Sequence, residues 1–453
     1  MSNESPFDAV LEQHGELILA TSAKVVASAV FVSGRDVDEA ARNSAPLPPT
    51  MLGPDALYTI DVDSEREQVT LTLPDGRSRS ARRVGDQGCI ILAPDEEPRF
   101  TPHAVESALG DPSTTPWPLG DAEADAGSSP LLPGDLDDAV AAAFANPDDH
   151  TAAFVVVHRG QLVAERYGDG IDRDTQLESW SMGKSLTAAL VGVLMADGAF
   201  ELDDAAPVPA WQAADDPRRE IRIRDLLQMS SGLEFSSSDG PLDWLDTGYP
   251  DHIRVYSGGL DTFDFVLSRP AEHPRQTVGR YRNCDPLMLG YLIQQEARER
   301  GEEYLTFPQR ALFDRIGIRR QVLETDAHGN FLLTGFDYGT ARNWARIGLL
   351  YLNDGVFLGE RVLPAGFAEF CRTPAPAWDQ PEYGGQCWLN GVGAWDLPAS
   401  TMVMAGDGGQ HVFVDPTHDL VIVRMGHRRG KATYQAGLCA AQREVLTAIE
   451  RRS

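Results

Sequence analysis

Ser181 and Lys184 combine residue types and a spacing that suit nucleophilic chemistry. They stand at the start of residues 178–200, ESWSMGKSLTAALVGVLMADGAF, an apolar stretch that predicts a largely buried helix of about five turns. Side chains at positions i and i+3 share one face of a helix, so the amine can reach the hydroxyl oxygen. A serine hydroxyl becomes a strong nucleophile when a neighbouring base takes its proton. The pair is therefore a candidate nucleophile and base.

The lysine is informative because the chain has so few. Lysine occurs at positions 24, 184 and 431, and the rest of the 39 basic residues are arginines. Arginine keeps its proton in proteins, so it cannot act as the base. The positive end of a helix dipole favours a neutral amine and a developing alkoxide, and free N–H groups there can face an oxyanion. The S-x-x-K motif alone is weak, since a chance match is common in a long chain.

Tyr281 and Asn283 carry side chains that could assist the Ser181–Lys184 pair. Tyr281 and Asn283 precede a predicted helix over 287–298, with Asp285 as its N-cap and Pro286 at its first position. This turn would fix side-chain geometry, and the Tyr281 phenol could relay protons if a neighbouring lysine lowers its pKa. The alternative is a buried, hydrogen-bonded tyrosine.

The glycine-rich run 406–409 joins two strand-like segments. It is either a simple hairpin turn or a place where the main chain approaches a ligand. Glycine permits that approach, so an edge N–H near Gly406 could face Ser181 as a second oxyanion contact.

Strand and helix patterns around these residues predict an α/β (α+β) fold. The runs 401–405, 410–414 and 420–425 are strand-like, and 153–158 with 161–167 predicts a hairpin. Helical patterns cover 136–144, 340–352 and 435–451. Consecutive strands with tight turns, preceded and followed by helices, predict an antiparallel sheet flanked by helices.

Composition divides the chain into three parts. Residues 1–110 form an N-terminal extension with predicted strands at 25–32, 58–62 and 89–92 and a hairpin at 68–83. Residues 111–135 are rich in Pro, Gly, Ser and Asp and predict a linker. Residues 136–453 form the main domain, in which about 200–345 is a helical and loop subdomain. The loops 203–276 and 383–396 would line a pocket, with Trp244, Tyr249 and Tyr256 as candidate aromatics.

The charge balance excludes several classes of partner. The chain carries 68 acidic and 39 basic residues, a net charge of −29, which would repel nucleic acid and anionic lipid. No apolar run reaches the roughly 20 residues of a membrane span, and the N-terminus lacks the pattern of a signal peptide. Five scattered cysteines and no H-E-x-x-H spacing predict neither a disulfide framework nor a metal site, and no cofactor. We expect a cytoplasmic location. The lysine-poor acidic surface fits either salt adaptation or a GC-rich genome.

The order S-x-x-K at 181–184, Y-x-N at 281–283 and a glycine-containing strand end at 405–410 resembles the serine β-lactamase and penicillin-binding-protein superfamily. The segments SMGKSLTAALVGVLMADG, LLQMSSGL, TARNWARIGLLYLNDG and AGDGGQHVFVDPTHDLVIVR are similar to its class C-like branch, which contains esterases and 6-aminohexanoate-dimer hydrolases. The resemblance covers about residues 150–450, and residues 1–110 resemble an extension found in several such hydrolases.

The resemblance implies a role for each matching residue. Ser181 would be the acylated nucleophile, Lys184 its proton acceptor and Tyr281 the proton shuttle, with the choice of main base open. Asn283 would orient the lysine or the substrate. The N–H groups of Ser181 and Asp407, beside Gly406, would form the oxyanion hole.

At one position the chain differs from the penicillin-recognising members of this superfamily, and the difference narrows the range of expected substrates. Penicillin-recognising members carry Lys or His two residues before the third-motif glycine, where this chain has Met404. The resemblance then implies a hydrolase of small esters or amides. A β-lactamase or D-peptidase, and a non-catalytic ligand-binding relative, stay open as alternatives. So does the oligomeric state, monomer or homodimer.

Overall fold

The computed structural model describes residues 6–48, 57–92, 96–123, 129–237 and 243–452. The side chain of Trp244, a predicted pocket aromatic, lies outside the described part. The fold is a mixture of helices and antiparallel sheets, which confirms the predicted α+β class. No described helix is both long and apolar enough to cross a membrane.

The helices are numbered along the chain. In the described residues they are α1 Pro6–Phe31, α2 Val37–Asn43, α3 Asp137–Ala143, α4 Gly183–Ala196, α5 Ile223–Leu227, α6 Trp244–Thr247, α7 Asp251–Arg254, α8 Thr262–Leu267, α9 Cys284–Glu299, α10 Ala341–Leu352, α11 Phe367–Arg372 and α12 Tyr434–Arg452.

The strands are numbered in the same way. They are β1 Thr59–Asp63, β2 Gln68–Thr72, β3 Ser78–Arg83, β4 Cys89–Leu92, β5 Thr151–His158, β6 Gln161–Tyr167, β7 Leu177–Glu178, β8 Val322–Leu323, β9 Asp337–Gly339, β10 Val356–Phe357, β11 Glu360–Arg361, β12 Trp388–Leu389, β13 Met402–Gly406, β14 Gln410–Asp415 and β15 Leu420–Gly426.

The N-terminal segment, residues 6–92, packs the long helix α1 against the sheet β1-β2-β3-β4. The hairpin predicted at 68–83 is confirmed as the β2–β3 pair. The strand predicted at 25–32 is wrong, because these residues belong mostly to α1. Val25, Val26 and Ala27 are all buried, so the run shows no alternation that would distinguish a buried helix from a strand.

A six-stranded antiparallel sheet, in the order β12-β13-β14-β15-β5-β6, forms the centre of residues 136–452. Its two faces pack against different helices. Phe154 and Val156 of β5 lie in a core with α3 and α12, whereas Val155 and Val157 lie in the core that contains α4 and α10. This alternation along one strand produces a helix-sheet-helix sandwich. The domain boundaries predicted at 110 and 135 stay a prediction.

The helix predicted over 178–200 is shorter than expected. A 3₁₀ turn at Trp180–Met182 precedes α4, and Gly198 takes the left-handed conformation after it. The N-cap predicted at Asp285 is also wrong. Helix α9 begins at Cys284 with Asn283 before it, and the Asp285 carboxylate instead accepts a hydrogen bond from Ser231.

A small sheet in the order β7-β9-β8 connects the start of α4 to the segment 324–339. The Ser179 N–H donates to the Asp337 carbonyl over 3.0 Å at this junction. Tyr281, just before α9, and Gly406, the last residue of β13, approach the same turn from other directions. Elements distant in sequence therefore meet at Ser181.

Candidate active site

The turn that carries Ser181 is held in an unusual conformation. Trp180 has a φ of 47°, in the left-handed region that bulky residues rarely adopt. Its indole ring lies 5.4 Å from the ring of Phe336, between centroids, so packing maintains the turn. Backbone strain of this kind concentrates at functional sites.

Lys184 lies on the first turn of α4 with its amine beside the serine. Its Nζ donates to Ser181 Oγ over 3.0 Å and to the Thr334 carbonyl over 2.7 Å. The residue is only 1% exposed, and burial lowers its pKa well below the ordinary value of 10.5. Within the described residues Lys184 forms no ion pair with a carboxylate. The amine is therefore suited to take a proton from Ser181.

Tyr281 completes a compact group with this pair. Its ring centroid lies 4.9 Å from Lys184 Nζ. Burial raises the pKa of the Tyr281 phenol, and a hydrogen bond with Ser181 offsets only part of that rise. Burial therefore outweighs any lowering of the phenol pKa by the neighbouring Lys184. The phenol thus starts as a proton donor.

An aromatic wall surrounds Tyr281. Trp388 stacks on it with centroids 5.1 Å apart, and Tyr383 and His252 each lie at 5.9 Å. Tyr383 and Trp388 come from the predicted pocket loop 383–396, and His252 comes from the loop 203–276. The wall contributes to the burial that shifts the pKa values of the amine and the phenol.

Asn283 is fully buried, and its side-chain amide binds the main chain. Its Nδ2 donates to the His252 carbonyl over 2.5 Å, and its Oδ1 is buried without a hydrogen-bond partner in the described chain. The structure therefore places the Asn283 amide where it holds the main chain of α7. The role of orienting the lysine or the substrate stays a prediction.

The end of β13 lies against the nucleophile turn. A Cβ atom on Gly406 would overlap the Ser179 carbonyl oxygen and lie 3.1 Å from the Ser181 nitrogen, so only glycine fits. Asp407 follows, with its carboxylate bound to Arg428 over 2.6 Å and to Lys431. Burial would raise the pKa of Asp407, but these cations hold it below the ordinary value. The Asp407 side chain is thus fixed by two cations at the end of β13.

Two groups at the site were not predicted from the sequence. The Thr334 carbonyl anchors Lys184, and a main-chain oxygen has no residue-type signal. His252 stands near the amine with a buried Nδ1 that has no hydrogen-bond partner in the described chain. Burial, helped by the nearby Lys184 amine, lowers the pKa of His252 to about 3, so its imidazole is neutral.

The other predicted aromatics have separate positions. The Tyr256 hydroxyl donates to Thr334 Oγ1 over 2.7 Å and so supports the turn that holds Lys184. Tyr249 lies toward the N-terminal segment, with its ring 5.5 Å from that of His14. Of these two tyrosines, Tyr256 belongs to the site.

A serine, a buried neutral lysine and a tyrosine beside an antiparallel sheet define a serine hydrolase of the β-lactamase fold. Residues 136–446 match the sequence model of the Beta-lactamase family, and the chain belongs to that family.

Several known proteins are similar to the chain. The 6-aminohexanoate-dimer hydrolase of Paenarthrobacter ureafaciens is 24% identical over 300 residues, which cover 61% of this chain and 72% of that protein. A penicillin-binding protein homologue from Caulobacter crescentus has a TM-score of 0.53 at 15% identity, covering 69% of this chain and 98% of that one. A family VIII carboxylesterase has a TM-score of 0.52 at 15% identity, covering 70% and 99%. These two solved structures share the fold.

Proposed function

We propose that the protein cleaves an ester or amide bond of a small substrate through an acyl-enzyme on Ser181. The observation that carries this proposal is the Lys184 amine, buried, without an ion-pair partner in the described chain, and 3.0 Å from the serine oxygen. A neutral amine at that distance is a general base in place for the hydroxyl proton.

Acylation follows from the positions of the groups. Lys184 takes the Ser181 proton as Oγ forms a bond to the substrate carbonyl carbon. The carbonyl oxygen becomes an oxyanion, which the N–H groups of Ser181 and Asp407 are positioned to bind. The bond to the leaving group then breaks as that group receives a proton.

Tyr281 is the donor for that proton. Its phenol is neutral and lies between the Ser181 oxygen and the aromatic wall. The Lys184 ammonium formed in the first step can return a proton to the phenol oxygen. Deacylation runs in reverse, with water in place of the leaving group.

The substrate class follows from a missing charge. Met404 is fully buried in β13, at the position where penicillin-recognising relatives carry a cation. Aromatic and apolar side chains line the site, which suits an uncharged acyl chain. The Paenarthrobacter relative, a 6-aminohexanoate-dimer hydrolase, supports linear amides or esters over β-lactams.

Intact-mass spectrometry after exposure to separate esters, linear amides and β-lactams tests the proposal. We expect an acyl adduct from an ester or a linear amide on the wild type and none on Ser181→Ala, which should also fail to hydrolyse p-nitrophenyl acetate. A stable adduct formed only from penicillins would instead indicate a β-lactamase or D-peptidase. Failure of a fluorophosphonate to label Ser181 would indicate a non-catalytic relative.

A further inference from the structure

The N-terminal segment, residues 6–92, reaches the catalytic machinery through polar side chains rather than through apolar packing alone. Several polar contacts join this segment to the rest of the described chain, and three of the connections end at residues that support Lys184, Ser181 or Asp407. We call them the base link, the nucleophile link and the oxyanion link.

The base link joins α1 to the support of Lys184. Lys24 Nζ lies 2.7 Å from Glu324 Oε2, and Ser28 Oγ donates to Glu324 Oε1 over 2.7 Å. The Glu324 backbone in turn binds both ends of the turn 332–336, through the Leu332 N–H over 2.8 Å and the Phe336 carbonyl over 2.9 Å.

That turn holds the general base. It presents the Thr334 carbonyl to Lys184 Nζ, and Lys24 Nζ itself lies 4.9 Å from the Phe336 ring centroid. The base link thus runs from α1 through Glu324 and the turn 332–336 to the Lys184 amine.

The nucleophile link ends on Glu178, which stands three positions before Ser181. Arg35 Nη1 donates to its Oε2 over 3.4 Å, and Ser44 Oγ donates to its Oε1 over 2.7 Å. Burial would raise the pKa of Glu178, but Arg35, His427 and Ser44 together outweigh it and hold the pKa at about 2. The carboxylate is therefore ionised and bound at neutral pH.

The oxyanion link runs through Arg428. Its Nη1 donates to the Pro46 carbonyl over 3.2 Å, and its Nε donates to Asp407 Oδ2 over 2.6 Å. The residue whose N–H faces the oxyanion is therefore connected to the N-terminal segment by one side chain.

Packing of the N-terminal segment against the rest of the chain does not require buried ion pairs and hydrogen bonds of this kind. Burying an ion pair such as Lys24–Glu324 gains little over packing apolar groups of the same size, because desolvation offsets the attraction. What directed, charge-assisted contacts add is a fixed geometry. Here such contacts fix the positions of Glu324, Glu178 and Arg428, which support three different parts of one site.

We propose that the N-terminal segment is part of the catalytic apparatus, with Lys24 and Arg35 as positioning residues that act through Glu324 and Glu178. This inference rests on the proposed serine-hydrolase function. Loosening the base link would let water reach Lys184, and the ammonium form would then gain solvation. The Lys184 pKa would rise as a result.

The test compares the pH dependence of p-nitrophenyl ester hydrolysis in the wild type and in the double variant Lys24→Met/Glu324→Gln. The double variant removes both charges but keeps similar shapes. We expect the acid limb of kcat/KM to move up by about one pH unit, with about a tenfold loss on that limb. The matched control is Leu71→Ala, a cavity in the apolar core of the N-terminal segment that removes none of the polar contacts of the links. It should lower the unfolding temperature and leave the limb in place.

A milder variant covers the case in which the double variant does not fold. Ser28→Ala/Ser44→Ala removes one hydroxyl contact from each of Glu324 and Glu178 and retains both cations. It should shift the limb in the same direction by a smaller amount. Folded variants with the wild-type limb and rate would overturn the inference. Failure of the proposed function would look different, since wild-type hydrolysis would then persist in Ser181→Ala.

Discussion

Lys184 shows how the surroundings of one residue define its chemistry. It shares a chain with many arginines, yet only a lysine can become neutral when buried. Two hydrogen bonds to uncharged oxygens fix its direction without stabilising a positive charge as a carboxylate would. Burial without a carboxylate partner in the described chain therefore lowers the Lys184 pKa, which is what the proposed role of general base requires.

The Lys184 amine gives a pH dependence with a defined sign. It is neutral above its lowered pKa and becomes an ammonium as the pH falls through that value, so kcat/KM should decline on the acid side. Lys184→Arg keeps a cation in place and should lower kcat/KM roughly 10³–10⁵-fold, without an acid limb. Steady-state kinetics from pH 4 to 10, measured against Ser181→Ala as background, checks both effects. Retention of more than a tenth of wild-type activity would rule out Lys184 as the base.

The contribution of Tyr281 to the rate should depend on whether the leaving group needs a proton. An amine must be protonated as it departs, whereas p-nitrophenolate leaves without a proton. We expect Tyr281→Phe to lower amide hydrolysis at least about tenfold more than p-nitrophenyl ester hydrolysis. Paired kinetics on an anilide and an ester with the same acyl group measures the difference. Equal losses on both would show that the phenol acts before the leaving group departs.

At the scale of elements, strand β9 places a carboxyl group under the start of α4. A Cβ atom on Gly183 would lie 2.9 Å from Asp337 Oδ2, so the Gly183 backbone packs closely against the Asp337 carboxyl group. Burial raises the pKa of Asp337 to about 8, against a smaller lowering by Ser179. The carboxyl is thus protonated in the folded protein at pH values where an exposed aspartate is ionised.

This carboxyl should make stability fall as the pH rises. Between the ordinary pKa of 3.8 and about 8, the folded state holds a proton that the unfolded state has lost. Asp337→Asn removes the dependence, so its free energy of unfolding relative to wild type should rise by up to about 1.4 kcal/mol per pH unit across that window. Urea unfolding at pH 5, 6.5 and 8 measures it, with the exposed Asp169→Asn as control. A constant difference at all three values would contradict the shift.

Helices and strands were predictable from the sequence where one face of the element is buried and the other is exposed. The hairpin at 68–83 alternates and was predicted correctly, whereas the run 25–32 is buried all round and was taken for a strand. The contact between Ser181 and Lys184 was equally predictable, since it follows from their three-residue spacing. The Thr334 carbonyl and His252 reach the site only through tertiary packing, which no local pattern encodes.

At the scale of the whole molecule, acidic residues outnumber basic ones. Even if each of the 39 basic residues paired with one carboxylate, 29 of the 68 acidic residues would remain, since 68 − 39 = 29. Exposed ion pairs such as Arg443–Asp396 contribute about 0–1 kcal/mol each and are weakened by salt. The uncompensated charges repel one another and are screened by the same salt.

We expect repulsion to dominate, so the unfolding temperature should rise by a few degrees between about 0.02 and 0.5 M NaCl at pH 7.5. Scanning calorimetry at both salt concentrations measures the change. The control is the same pair of scans near pH 4.6, the isoelectric point of the sequence, where the net charge is close to zero and the rise should largely disappear. Sucrose of equal osmolality separates screening from general exclusion of solutes. A fall in unfolding temperature with salt at pH 7.5 would mean that exposed ion pairs, such as Arg443–Asp396, outweigh the repulsion.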